Sequence, residues 1–260
     1  VNRLLCAALA GVAVRAALPL LRRRPPGGAQ RWERTNHAGR PVTLLEGPAL
    51  VAGCVTVALT APPVAGAAAA AGALGVLDDL VGSTDSKGLK GHLAALRRGE
   101  VTTGAVKVLG LGATGLATAW ALDRDHVGLG TPAGAVLIAG GANLLNLFDL
   151  RPGRALKVAL IVGVPITFAG SSVAAAGMGA AVAALPEDLR GEAMMGDTGA
   201  NALGALLGSA LAITLGTRSR WAAAGAVVVL TLASERVSFS RVIASTPGLR
   251  ELDAWGRPRP

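Results

Sequence analysis

Apolar residues in this chain come in long runs, separated by short clusters of charge, proline and glycine. A bilayer core about 30 Å thick takes roughly 20 apolar residues per helix, and about nine runs approach that length: 4–21, 42–60, 63–77, 101–122, 129–148, 155–169, 171–185, 200–216 and 221–234. Several are short or broken by glycine, so eight to ten helices are expected. The pattern predicts an all-α, polytopic membrane helix bundle. The first run also has the length of a signal-peptide core. Its charge order is reversed, however, with only Arg3 before it and Arg22, Arg23 and Arg24 after it.

Composition agrees with the pattern. Of 260 residues 52% are hydrophobic, 16% are charged and 36 are glycine. The mean hydropathy is +0.52, which excludes a disordered chain. Aromatic residues make up 3% and Tyr is absent, so the apolar mass is Ala, Leu, Val and Gly, the small residues that let membrane helices approach closely. Cys6 and Cys54 lie inside apolar runs with no partner spacing, which excludes a disulfide framework or a zinc site.

A net charge of +9 would normally suggest nucleic acid, and where the basic residues fall decides the matter. With the segment after the first run placed in the cytoplasm, alternation makes five connections internal: 22–41, 78–100, 149–156, 186–199 and 235–260. Counting Lys157 at the edge of the third, these carry 19 of the 25 Lys and Arg, against Arg124, Arg218 and Arg220 outside. That is a strong positive-inside bias. It predicts a single membrane domain over 1–260 with its N-terminus outside, a cytoplasmic tail over 235–260, residence in the cell membrane and no nucleic-acid partner.

Polar groups scattered through the sequence fall on that same inner side. Asp78 and Asp79 close the third run, ahead of Lys87 and His92; adjacent carboxylates beside hydrocarbon are costly and suit general-base or metal-linked phosphate chemistry. Asn143, Asn146 and Asp149 recur every three residues at the end of the fifth run, a slowly drifting stripe of oxygen ligands appropriate to Mg²⁺. Gly196-Asp197-Thr198-Gly199 precedes the eighth run, where glycines admit a close phosphate and a helix N-terminus favours anions. A basic entry segment, 31–41, includes Asn36, His37 and Arg40. Its arginines bind a diphosphate or simply fix topology against anionic lipid. Lys107 lies about two turns inside the fourth run and can reach a phosphate or the inner surface. Gly204 and Gly208 are spaced for helix packing. Arg15 and Glu46 have no partner assignable from sequence, and His126 reads as a solvated residue of an outer connection.

On these residues the chain resembles the polyprenyl-phosphate N-acetylhexosamine-1-phosphate transferase superfamily. The resemblance is carried by Asp78-Asp79 with Lys87-Gly88-Leu89-Lys90-Gly91-His92, by Asn143-x-x-Asn146-x-x-Asp149 and by Gly196-Asp197-Thr198-Gly199, in order over roughly residues 30–240. Asn36-His37-Ala38-Gly39-Arg40-Pro41 is similar to the family's first inner loop. The resemblance implies cytoplasmic active-site loops and transfer of a sugar-1-phosphate from a nucleotide-diphospho-sugar, a UDP-N-acetylhexosamine type, to a membrane polyprenyl phosphate, initiating a lipid-linked cell-envelope glycan such as peptidoglycan. It implies Mg²⁺ or Mn²⁺ held by Asp197 with Asn146, Asp78 or Asp79 deprotonating or orienting the lipid phosphate, and Asp149 completing a polar cavity. Asn143, Lys87, His92, Lys107, Arg40 and Asn36 are then expected to bind substrate, and a homodimer is compatible with the resemblance.

Two departures stand out. Asp149-Leu150-Arg151-Pro152-Gly153 lacks a second acid that many bacterial members carry there, and residues 246–258 contain no His where many relatives have a His-rich loop. Arg250, a basic residue of that segment, is the candidate substitute phosphate ligand. The departures favour a nucleotide sugar other than the muramoyl-pentapeptide donor. They also keep in view a degenerate relative that binds lipid phosphate or a partner without turnover. A small-solute transporter fits less well, since it calls for polar sites near the bilayer midplane.

Overall fold

The computed structural model describes residues 2–36, 39–81, 98 and 102–258. Among these the chain is helical apart from one short hairpin. In order come α1 (Arg3–Arg23), β1 (Glu33–Thr35), β2 (Pro41–Thr43), α2 (Glu46–Cys54), α3 (Pro62–Val81), α4 (Thr103–Leu122), α5 (Gly130–Phe148), α6 (Arg154–Phe168), α7 (Ser172–Leu189), α8 (Gly196–Thr214), α9 (Thr217–Ser234), α10 (Phe239–Ser245) and α11 (Leu249–Ala254). Local chemistry sets several starts. Asn2 caps α1 by accepting from the Leu4 amide, Thr102 caps α4 through Ala105, and Ser171 caps α7 through Ala174. Arg22 and Arg23 lie in the last turn of α1, where cations suit the helix dipole.

Eight of the nine apolar runs are single helices, and the run 42–60 is a correction to the sequence reading. It opens as strand β2, antiparallel to β1 with Glu33 opposite Thr43. It then becomes the nine-residue α2 and a 3₁₀ segment, Val55–Leu59. The cause is pairing that no local pattern reveals: the Thr43 amide donates to the Glu192 carbonyl at 3.3 Å and the Met194 amide to the Thr43 carbonyl at 3.0 Å. This draws the start of the run into extended backbone. Four helices, α1, α3, α4 and α5, are long and apolar enough to cross a bilayer alone, and α9 with α10, bent by 93°, makes a fifth candidate.

The helix ends sort into two poles. At one, Arg3 donates to the Thr167 carbonyl at 2.8 Å, Arg220 pairs with Asp123 at 2.7 Å and the Trp221 indole donates to the Leu129 carbonyl. At the other, Arg22 pairs with Glu187 at 2.6 Å, and Arg15, unassigned by sequence, reaches the same carboxylate at 3.2 Å.

Size is distributed opposite to a water-soluble domain. Large side chains such as Leu4, Val12, Leu109, Trp120, Phe168 and Val229 face outward, while Ala and Gly fill much of the interior. Helix α8 is the axis: nearly all of it is buried, packed against α2, α3, α5, α6 and α7. A helix enclosed by protein needs no large lipid-facing residues, which explains its Gly/Ala composition. At the α5 crossing, a Cβ on Gly208 would stand 2.7 Å from the Ile138 Cα, and one on Gly204 2.7 Å from the Ala142 Cα. These are backbone atoms that cannot rotate away. Gly208→Leu is therefore expected to cost about 1–3 kcal/mol by overpacking, read as a lowered thermal midpoint in detergent, whereas Gly225→Leu, with open space at its Cβ position, leaves the midpoint unchanged.

Candidate functional site

The N-terminus of α8 is wedged between α2 and α3 because glycine lines both neighbours. A Cβ on Gly75 would stand 2.5 Å from the Thr198 Cα, and one on Gly47 2.8 Å from the Thr198 Cβ. Gly75 and Asp79 lie four residues apart on one face of α3, so the same approach delivers the Asp79 carboxylate onto the start of α8. It accepts from the Asp197 amide at 3.1 Å, the Thr198 amide at 2.9 Å and the Thr198 hydroxyl at 2.7 Å. An anion supplied from another helix thus satisfies amides left free by helix geometry. Gly196 is left-handed, with φ +55°, and a Cβ there would meet the Asp79 carboxylate at 2.9 Å. Glycine answers both demands.

Asp78, one residue earlier, turns to a different partner. Lys107 of α4 donates to Asp78 Oδ2 at 3.3 Å and also to Asp197 Oδ2. Two carboxylates from separate helices therefore converge on one ammonium, each retaining about a fifth of its surface, at 24% and 22%. Asp78 and Lys107, with Thr231, Ser234 and Glu235 from the end of α9, are polar residues lining a 450 Å³ cavity between α4, α5 and α9. Asn143 lines the same cavity, and its walls are otherwise mostly apolar, including Leu111, Val136, Val227 and Leu232.

Asp149 ends α5 on the opposite flank and faces the Gly196 amide. Burial, followed by the charges of Asp188, Asp197 and Asp79, pushes its carboxyl well above the usual range. With Asp188, Asn36, Arg151 and Gly191 it lines a second cavity of 180 Å³. Asp188, beyond the apolar run of α7, accepts from the Gly153 amide at 2.9 Å, and burial pushes its pKa up to about 6. Asn36 Oδ1 accepts from the Arg40 amide at 3.0 Å across the hairpin, and Arg40 itself is exposed.

The four predicted acids, Asp78, Asp79, Asp149 and Asp197, are therefore brought to one end of the bundle, with Lys107 and Asn143 beside them. Asn146 is half-buried a turn before Asp149 and makes no hydrogen bond to Asp197 among the described residues. Lys87 and His92 lie outside the described residues. Arg250 pairs with the adjacent Glu251 at 2.7 Å on the surface, and His126 is exposed at the other pole.

Four further groups lie near this end: Asp188 and Asp253 are not singled out by the sequence, Arg34 belongs to its basic entry segment, and Glu46 has no partner assignable from it. Arg34 donates to the Asp79 carbonyl from β1. Glu46 is fully buried with neither carboxylate oxygen hydrogen-bonded, and Asp188 is almost fully buried with Oδ2 unpaired. Asp253 receives Arg154 and Arg257; burial raises its carboxyl, but the Arg154 hydrogen bond and the Arg257 charge prevail and hold it below the ordinary value. An acidic residue adjoining an apolar run marks Glu46 and Asp188 in sequence, but nothing local marks their proximity.

No group of three or more His, Cys, Asp or Glu among the described residues is arranged to hold a metal ion. Mg²⁺ makes a smaller demand, since one or two carboxylates suffice when waters and phosphate oxygens supply the remaining ligands. Asp78 with Asp197, already gathered around a cation, fits that demand, and the set differs from the Asp197 and Asn146 expected by resemblance. The chain matches no model of a known protein family, and no curated protein matches it.

Proposed function

We propose that the chain spans a cell membrane with about nine helical segments, N-terminus outside, and transfers a sugar-1-phosphate from a nucleotide-diphospho-sugar to a polyprenyl phosphate at the cytoplasmic face. The observation that carries this reading is a mostly apolar 450 Å³ cavity lined by Asp78 and Lys107, with Asp197 paired to the same lysine. Among the described residues, the connections that carry most of the Lys and Arg adjoin this cluster, as expected of an inner face. Nearly all polar groups other than those of the two poles are enclosed, and the outward face is hydrocarbon.

In this reading the isoprenoid tail lies along Leu111, Val136, Val227 and Leu232, and its phosphate meets Lys107. An oxygen of that phosphate attacks the sugar-proximal phosphorus; the bond to the bridging oxygen breaks and a nucleoside monophosphate leaves. Lys107 exchanges carboxylate partners for phosphate oxygens and neutralises part of the charge that develops. Asp78 and Asp197 would hold Mg²⁺, which when bound supplies charge neutralisation on the diphosphate. Asp79 does not touch substrate; it fixes the α8 N-terminus and so the direction of Asp197. Asp149 and Asp188 line the cavity on the donor side. The lipid reaches the site from within the bilayer, which gives a reason for a membrane-embedded catalyst.

Purified protein supplied with polyprenyl phosphate, Mg²⁺ and a panel of nucleotide sugars is expected to release a nucleoside monophosphate. Asp197→Ala is expected to reduce that release by about 10²–10³-fold. Absence of release from every donor, or release indifferent to Asp197→Ala, overturns the reading.

A further inference from the structure

The segment after α9 does not trail away from the bundle. Phe239 stacks on Phe148 with ring centroids 5.0 Å apart. Asp253 of α11 takes a two-pronged hydrogen bond from Arg154, Nε to Oδ1 at 2.7 Å and Nη2 to Oδ2 at 3.0 Å, while Arg154 Nη1 donates to the Ser240 hydroxyl at 2.7 Å. Lys157 donates to the Leu252 and Asp253 carbonyls at 3.2 and 2.6 Å. Arg257 pairs with Asp253 Oδ1 at 2.9 Å and donates from Nε to the Pro152 carbonyl at 2.8 Å.

All of these contacts surround one short turn, residues 149–153, which joins α5 to α6 and carries Asp149. The turn needs outside support. Gly153 is left-handed, with φ +70°, and the turn's polar ties to the rest of the fold include Gly153 N to Asp188 and Pro152 O to Arg257. Arg154, the first residue of α6, is 5% exposed, so its charge depends on Asp253 for neutralisation. A bidentate guanidinium–carboxylate pair in that position fixes orientation more than it adds stability.

The geometry points to Asp253 as a positioning residue that acts through Arg154 and Arg257 to hold the Asp149 turn, and with it the 180 Å³ cavity, in working register. The cavity at Lys107 shares no lining residue with this one, although the Asp149 turn meets the Gly196 amide beside Asp197. Asp253 therefore acts first on the donor side, through the lining of this cavity. The kinetic consequence rests on the transferase reading; the structural one does not.

Two readouts test the proposal on the full-length protein in detergent. Hydrogen exchange of a peptide covering 148–158 is expected to accelerate at least about tenfold in Asp253→Asn, with α8 unchanged, and to accelerate less in Arg257→Lys, which keeps the charge but loses the Nε donor to Pro152. In the transfer assay, Asp253→Asn is expected to raise KM for the nucleotide sugar about tenfold while KM for polyprenyl phosphate stays within twofold. Arg190→Ala, an exposed ion pair on the same pole, serves as the control and alters neither. Unchanged exchange across 148–158 overturns the proposal whether or not transfer is observed. Faster exchange throughout the chain, or both KM values moving together, also overturns it, because Asp253 would then serve only general stability. An inactive wild type with turn-specific exchange leaves the positioning role standing and removes the transferase reading.

Discussion

Lys107→Met is expected to lower turnover by about 10²–10³-fold in the proposed transfer, the range that follows removal of one preorganised charge-stabilising group from an active site. Methionine nearly matches the length and flexibility of the lysine stem, so the change isolates the ammonium. Its removal leaves Asp78 Oδ2 and Asp197 Oδ2 directed toward a point with no positive charge, and the developing charge on the transferred phosphoryl group loses its counterpart. Stability falls as well, by less than the roughly 3–5 kcal/mol for breaking a fully buried pair, since both carboxylates keep some solvent contact. Steady-state release of nucleoside monophosphate together with a thermal midpoint separates the two effects. Turnover within tenfold of the wild type, in protein that remains folded, would falsify the role given to Lys107.

Asp79→Ala is expected to abolish activity by a different route. Alanine strands two amides and a hydroxyl at the head of α8, each of which now donates to the carboxylate. An orphaned buried donor costs about 1–3 kcal/mol, and loss of a helix cap typically about 1 kcal/mol, so destabilisation of at least about 2 kcal/mol is expected. The first turn of α8 contains Asp197, so fraying there misdirects the carboxylate that faces Asp78. Asp79→Asn discriminates between the roles. It retains an acceptor oxygen and recovers part of the thermal midpoint, with activity rising in parallel if Asp79 acts only as a cap. Recovery of stability without any recovery of turnover would instead assign Asp79 direct contact with substrate.

Most of the helical architecture was legible because each helix has a uniform apolar composition bounded by charge or glycine. The run 42–60 was not, because its first residues answer to a partner backbone at 192–194, about 150 positions away. The acids Asp78, Asp79, Asp149 and Asp197 were legible as a group because each sits at an end of an apolar run, and topology then places the ends together. Their division of labour was not. Nothing in Asp78-Asp79 reveals that neighbouring carboxylates on a helix point about 100° apart, one to Lys107 and the other to the α8 amides. The tie between Arg154 and Asp253 was equally hidden, since it spans 99 positions and neither residue belongs to a recognisable motif.

The Gly and Ala interior carries a consequence for how this chain tolerates substitution. In most proteins the damaging core change is the deletion of atoms, and the danger is a hole. Here much of the core has already been pared to a methyl group or a hydrogen, leaving selection little to take away. Sequence drift is therefore expected to be asymmetric: enclosed alanines on α8 exchange with Gly or Ser while Gly204 and Gly208 stay glycine, and outward positions such as Leu109 and Val229 exchange freely among large apolar residues. A saturation library scored for folding should show that asymmetry as sensitivity to added volume along α8 and near indifference on the outward apolar surface.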